Sequence, residues 1–167
     1  KINTQHGVGL VRVHLAYDMS GPTNATLKVT KKISGQADTT DNFHFKVTLN
    51  SPENNYSKSL KITGGSGVTV SSETKTQATP KAVATYKATV EFNLNAGQSI
   101  TLTNIPPLTT YKVEETESHG LKPSYSHETG TLYSGKTTEC TVTNIGGNGY
   151  IVIFPSEEKK PMSQTAE

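Results

Sequence analysis

The chain has no tryptophan, one cysteine and two methionines among 167 residues, and only 18% of them are charged. A single cysteine excludes an internal disulfide, the usual staple of an extracellular β-domain. Any covalent brace must therefore be of another kind. Cys140 falls on the inward face of its strand, and no histidine neighbours it in the strand pattern. It reads as a small buried hydrophobe and not a nucleophile. No apolar run approaches the roughly 20 residues of a membrane helix; the segment Tyr150-Ile151-Val152-Ile153-Phe154 is far too short. The net charge of +2 is small, and no basic stripe carries interleaved aromatics, which argues against nucleic acid. No apolar face at helical spacing is visible, so a coiled coil or a helical enzyme is excluded. The opening residues do not read as a secretory leader, and a chain that opens on Lys1 is expected to be a mature fragment or an excised piece.

Other chemistries are missing too. Gly64-Gly65-Ser66-Gly67 is followed by neither Lys-Ser/Thr nor a helix, so it reads as a hairpin turn and not a phosphate loop. His119, His127 and Glu128 match no standard metal spacing, and neither metal nor cofactor is expected. Asn24-Ala25-Thr26 and Asn55-Tyr56-Ser57 fit the glycosylation acceptor pattern, a weak signal. Nothing arranges Ser, His and Asp as a hydrolytic triad. No turnover enzyme is expected.

What remains is a polar, hydroxyl-rich chain, 32% hydrophobic, whose apolar residues alternate. Residues 8–17 place Val11, Val13, Leu15 and Tyr17 on one face, before a breaker cluster at 18–24. From Ala25 the pattern is regular. Strands are expected at 26–33, at 43–49 (Phe43, Phe45, Val47 and Leu49 inward), and more weakly at 59–63 and 68–71. Further strands fall around Val90, Phe92 and Leu94, at 99–104, from Tyr111, and up to Asn144. Residues 34–41 and 50–55 read as turns, and 72–82 as a mobile loop or an excursion from the sheet. Many short strands with turns between them predict an all-β sandwich. The expected division is 1–24 as an N-terminal strand and linker, 25–146 as the sandwich, and 147–167 as a short strand and polar disordered tail.

Three of these strands end by turning one polar residue inward. Leu27, Val29 and Lys31 share a face; so do Tyr111, Val113 and Glu115; so do Cys140, Val142 and Asn144. A buried amine, carboxyl and amide cost free energy unless they satisfy one another. If they meet, the amine can attack the amide, release ammonia and leave an isopeptide bond. Alternation sends Lys32 and Glu114 to the opposite face. The alternative is a snorkelling Lys31 paired with Glu115 as an ordinary salt bridge, with Asn144 capping a turn.

The blocks LKVTKKISG, FHFKVTL, FNLNAGQSITLTNIPPLTTYKVEET and TVTN, in this order over residues 25–145, resemble the Cna-B-type domains of Gram-positive surface proteins, closest in pattern to streptococcal-type major pilins. The chain departs from the family pattern at Pro107-Leu108, where a glycine usually follows the proline. It also lacks a sortase pilin motif and a wall-sorting pentapeptide. The resemblance implies an immunoglobulin-like β-sandwich in which Lys31 is joined to Asn144 with Glu115 as the assisting, catalytic acid. It implies a structural module of an adhesin stalk or pilin, extracellular and attached to the cell wall through a part of the parent protein outside this chain. Its partners would be neighbouring domains or subunits of the same assembly. Its chemistry would be a single self-cross-linking turnover. Two other functions stay open: a ligand-binding module presenting residues 50–88 to a host matrix protein or glycan, and a carbohydrate-active accessory domain, for which no paired carboxylates are evident.

Overall fold

Strict alternation builds the first strand, β1 (Ala25–Gly35): Ala25, Leu27, Val29 and Lys31 are buried, and Thr26, Lys28 and Thr30 only partly so. The computed structural model describes residues 23–35 and 41–146. The expected strand at 8–17, most of the turn at 34–41 and the apolar run at 150–154 lie outside the described residues. After β1 come β2 (Asn42–Ser51), a 3-10 turn (Tyr56–Ser59), β3 (Lys61–Gly64), β4 (Ser66–Val70) and β5 (Thr74–Thr76). Then follow β6 (Thr85–Asn95), β7 (Ser99–Ile105), β8 (Thr110–Glu117), β9 (Pro123–Ser126), β10 (Thr129–Thr131) and β11 (Thr137–Gly146).

The strands form two sheets. One runs β3-β7-β1-β11-β9; the other runs β10-β8-β2-β6-β4, with β5 also paired to β6. The fold is an all-β sandwich, as the alternation predicts. Its inner layer joins Leu27, Val29, Ile100, Leu102 and Val142 of the first sheet to Phe43, Phe45, Val47, Val90, Phe92 and Leu94 of the second. Phe45 and Phe92 stack with centroids 5.5 Å apart. In the first sheet β1 and β11 pair in parallel, while the remaining pairings of both sheets are antiparallel. The first and last strands of the sandwich are thus direct neighbours.

Two expectations change. Residues 72–82 are neither a plain loop nor wholly an excursion from the sheet: β5 pairs with β6 from Thr74↔Lys87 to Thr76↔Thr85, and Thr79 bridges Ala82. All three β5 residues are exposed, so no apolar alternation marked it. The glycine run is not a hairpin turn either. β3 pairs with β7 and β4 with β6, so Gly64-Gly65 carries the chain from one sheet to the other. Gly64 adopts φ +90°, and a Cβ there would stand 2.4 Å from the Ser99 carbonyl oxygen. The Pro106-Pro107 turn explains the departure from the family pattern. Leu108 itself takes φ 64°, and its N–H donates to the Leu132 carbonyl at 2.7 Å.

The crossover is testable. Gly64→Ala combines left-handed backbone strain with a collision against backbone, and should cost about 1–3 kcal/mol. Chemical denaturation reads this directly; an unchanged midpoint would show that the crossover relaxes freely.

Candidate functional site: a buried lysine, glutamate and asparagine

β1 and β11 deliver two of the three inward polar residues side by side. Asn144 stands opposite Ile33 in the parallel register and Val142 opposite Lys31, so Lys31 and Asn144 share the inner face two positions apart. The Lys31 backbone is gripped by the β6–β7 turn: its N–H donates to the Gln98 carbonyl, and its carbonyl accepts from the Gly97 N–H, both at 2.9 Å. Glu115 comes from the facing sheet. There β8 pairs with β2 as Phe45↔Glu115 and then His44↔Glu117, leaving Thr116 as an extra residue. Bulges of this kind end regular pairing and re-aim side chains.

The three groups meet on one atom. Lys31 Nζ lies 3.0 Å from Glu115 Oε1, and Asn144 Nδ2 donates to the same oxygen at 3.1 Å. Both side chains of the Lys31–Glu115 pair have 0% exposure, and Asn144 is likewise fully buried. The ammonium-to-carboxylate approach is close but lacks hydrogen-bond direction, so Nζ, Glu115 Oε2 and Asn144 Oδ1 are all left without a hydrogen-bond partner. Among the described residues, the unsatisfied buried side-chain atoms collect at this one spot. Such groups in a folded protein call for an explanation.

The surroundings are apolar. Nζ sits 4.2 Å from the centroid of the Phe43 ring. His119 packs edge-on against Phe43 from outside, 5.3 Å between centroids, with its Nε2 2.8 Å from the Asn42 carbonyl oxygen. Burial lowers the Lys31 pKa from its ordinary 10.5, against the opposing pull of the adjacent Glu115 carboxylate. The amine is therefore easier to deprotonate than a solvated lysine.

One detail departs from the expected arrangement. An assisting acid is expected to donate, as a neutral carboxyl, to the Asn144 carbonyl oxygen; instead the amide nitrogen faces the carboxyl. That places Glu115 beside the group that would leave as ammonia. The residues next in sequence lie outside: Lys32 is exposed, and Glu114 pairs with Lys112 at 2.8 Å.

The other candidates have structural employment. His127 accepts the Tyr111 hydroxyl on its carbonyl at 2.8 Å. Cys140 is buried and its thiol is pushed up to about 11 by desolvation, far from the thiolate a nucleophile needs. Within 50–88, a shallow groove of about 440 Å³ is lined by Asn54, Lys58, Val70 and Glu73 among others. The Glu73 carboxylate there is occupied by the backbone N–H groups of Asn55 and Ser57, each at 2.7 Å.

Sequence reasoning missed Tyr125. Residues between His119 and His127 read as a turn, yet they contain β9, and the Tyr125 hydroxyl accepts the Glu115 backbone N–H at 2.9 Å. The signal was present as alternation: Pro123 and Tyr125 point inward and Ser124 and Ser126 outward, with proline tolerated as first residue of the strand.

A two-sheet sandwich enclosing a lysine–glutamate–asparagine cluster defines the class of domain. The chain belongs to the family described as Domain of unknown function (DUF7601), which matches residues 25–146. No curated protein matches the chain. It is similar to several solved structures. One is a pilus-presented adhesin, Spy0125 (Cpa), with 24% identity and a TM-score of 0.45, over 74% of this chain and 27% of that one. Another is the major pilin T3.2 from Streptococcus pyogenes, with 21% identity and a TM-score of 0.49, over 75% and 46%. A third is a major pilin from Streptococcus pyogenes, with 24% identity and a TM-score of 0.42, over 74% and 48%. The chain thus spans about a quarter to a half of the length of these relatives. Among the described residues, no helix is long and apolar enough to cross a membrane.

The lysine shift has a pH consequence. Between the lowered folded pKa and 10.5 the unfolded chain binds more protons than the folded one. Stability contributed by this site therefore rises with pH through that window and levels off above it. Asn144→Ala, which keeps the amine but cannot cross-link, should gain melting temperature relative to Lys31→Met as pH approaches 10.5. Parallel pH profiles for the two variants would show that the amine is not desolvated.

Proposed function

We propose that the domain is a structural module of a pilus or adhesin stalk, braced by an internal Lys31–Asn144 isopeptide bond that it makes itself. The observation that carries this reading is the convergence of Lys31 Nζ and Asn144 Nδ2 on one oxygen of a buried Glu115. A salt bridge needs no amide, and a turn cap needs no lysine. The ordered sequence blocks that resemble Cna-B-type domains support it, in keeping with similar structures described as pilins and a pilus-presented adhesin.

Proton transfer from the Lys31 ammonium to Glu115 gives an amine and a neutral acid. The Nζ lone pair attacks Asn144 Cγ, forming a C–N bond and placing negative charge on Oδ1. Glu115 returns its proton to Nδ2 and then takes the remaining ammonium proton from Nζ. The Cγ–Nδ2 bond breaks, ammonia leaves and takes that proton from Glu115 as ammonium, and a neutral secondary amide replaces the lysine and the amide. The carboxylate is regenerated. Holding amine and amide against the same carboxylate oxygen, between two paired strands and a facing sheet, would supply much of the rate. The product removes an unsatisfied buried charge and leaves an amide N–H that can donate to Glu115.

The cross-link closes a loop of more than a hundred residues. By analogy with disulfides, this stabilises by on the order of 5 kcal/mol through the unfolded state. It joins the first and last strands, so tension applied through them runs along covalent bonds instead of unzipping the sheet. Assembly with neighbouring domains or subunits, and exposure at the surface of a Gram-positive cell wall, belong to the same proposal.

Intact mass tests it. The purified domain should weigh one ammonia less than its sequence, while Lys31→Ala and Asn144→Ala should keep the full mass. Glu115→Ala should fold without cross-linking, and Glu114→Ala should cross-link normally. A folded wild type at full sequence mass would overturn the proposal.

The brace should also be visible in a melt. Glu115→Gln nearly preserves volume and removes the acid. Its uncross-linked form should melt roughly 10 °C or more below wild type, given a few kcal/mol and about 2–8 °C for each, and trypsin should cut it sooner. An equal melting temperature would remove the mechanical basis of the stalk.

A further inference from the structure

Strand β8 carries Glu115 past the end of its neighbour. On that edge β10 pairs with β8 at Thr110, Tyr111 and Lys112 only, and the Val113 N–H still finds the Glu128 carbonyl at 2.9 Å. Two residues later, among the described residues, no strand continues the ladder. The Glu115 N–H there donates to the Tyr125 hydroxyl at 2.9 Å. Tyr125 belongs to the other sheet: it stands opposite Val142 on β9, and Asn144 stands opposite Pro123 on the same strand.

One aromatic side chain therefore ties the backbone of the acid to the strand pair that holds the amide. It does so where β8 is least constrained, with the Thr116 bulge on one side and the end of β10 on the other. Tyr125 is half-buried and packs against the core, so its ring is fixed and its hydroxyl reaches a set distance. The packing of two sheets alone leaves their separation at a given point to side-chain volumes. A hydrogen bond across the gap fixes it.

We propose that Tyr125 is the positioning residue of the cross-linking reaction: it sets the distance between the Glu115 carboxyl and the Asn144 amide without touching either reacting group. This rests on the isopeptide reading above. The hydroxyl accepts from the backbone and not from the carboxylate, so its role is placement of the acid. Acid strength is left to burial.

The test follows bond formation in time. Isotope-labelled chain is made in a short pulse, and the loss of ammonia is followed by intact mass in folded full-length protein through the chase. Tyr125→Phe keeps the ring and removes the acceptor. It should form the same bond at a rate lower by about tenfold or more, since misplacement of about 1 Å can cost up to about 100-fold. A merely structural tyrosine would lower the melting temperature and leave the rate of the folded protein unchanged; that outcome overturns the inference. A wild type that never loses ammonia instead overturns the function on which it rests.

A second measurement needs no variant at this position. In Lys31→Met, hydrogen exchange should find the Glu115 amide protected although no strand lies beyond it. Rapid exchange there, with Val113 protected, would refute the bridge even if Tyr125→Phe does not fold.

Discussion

Everything near the centre of this sandwich answers to one difficulty, the burial of an amine and a carboxyl in an apolar core. A lysine inside an apolar core is stable only beside a partner, and Lys31 has one carboxylate oxygen, which it shares with Asn144. The elements around it can be read as conditions for that contact. The β6–β7 turn holds the lysine backbone, the parallel β1–β11 pair sets lysine beside asparagine, and the bulged β8 brings the acid from the opposite sheet. Phe43 closes the apolar wall, and His119 packs over it. The three atoms left unpaired gather at this one cluster among the described residues, and the proposed cross-link would relieve that burial.

The division of labour between the sheets suits the proposed chemistry. The two residues that the proposal joins lie on adjacent strands, where ladder hydrogen bonds hold their separation. The acid that the proposal uses as proton carrier lies across the core. An acid on the same strand pair would have taken one of the positions beside the lysine. Placing it opposite lets all three side chains converge.

The sequence showed much of this, because burial leaves a period of two. Residues Leu27 to Lys31, Phe43 to Leu49 and Cys140 to Asn144 alternate so cleanly that the inward residues could be named and Lys32 and Glu114 set aside. What escaped was structure that buries no apolar row. Strand β5 is Thr-Lys-Thr with both faces in solvent; only its backbone pairing with β6 makes it a strand. Strands β9 and β10 are short edges, rich in Ser and Thr, so β9 reads as turn and β10 leaves no mark. The Gly64-Gly65 crossover looked like a hairpin because the residues that permit positive φ are the same in both; whether the chain returns to its own sheet or crosses to the other depends on distant pairing. Tyr125 was lost with β9, since a residue cannot be placed on a face before its strand is seen.

The parallel pairing of β1 and β11 has a consequence for reach. Two neighbouring strands that run the same way begin at one end of the sandwich and finish at the other. The chain comes in near Ala25 at one pole and goes out near Gly146 at the opposite pole. Had the last strand been antiparallel to the first, both connections would share a pole, and the domain would hang sideways from its chain like a pendant. As built, it is a through-connected link. Each such link in series would add about the length of a ten-residue strand, roughly 33 Å at about 3.3 Å per residue, so height would grow with copy number.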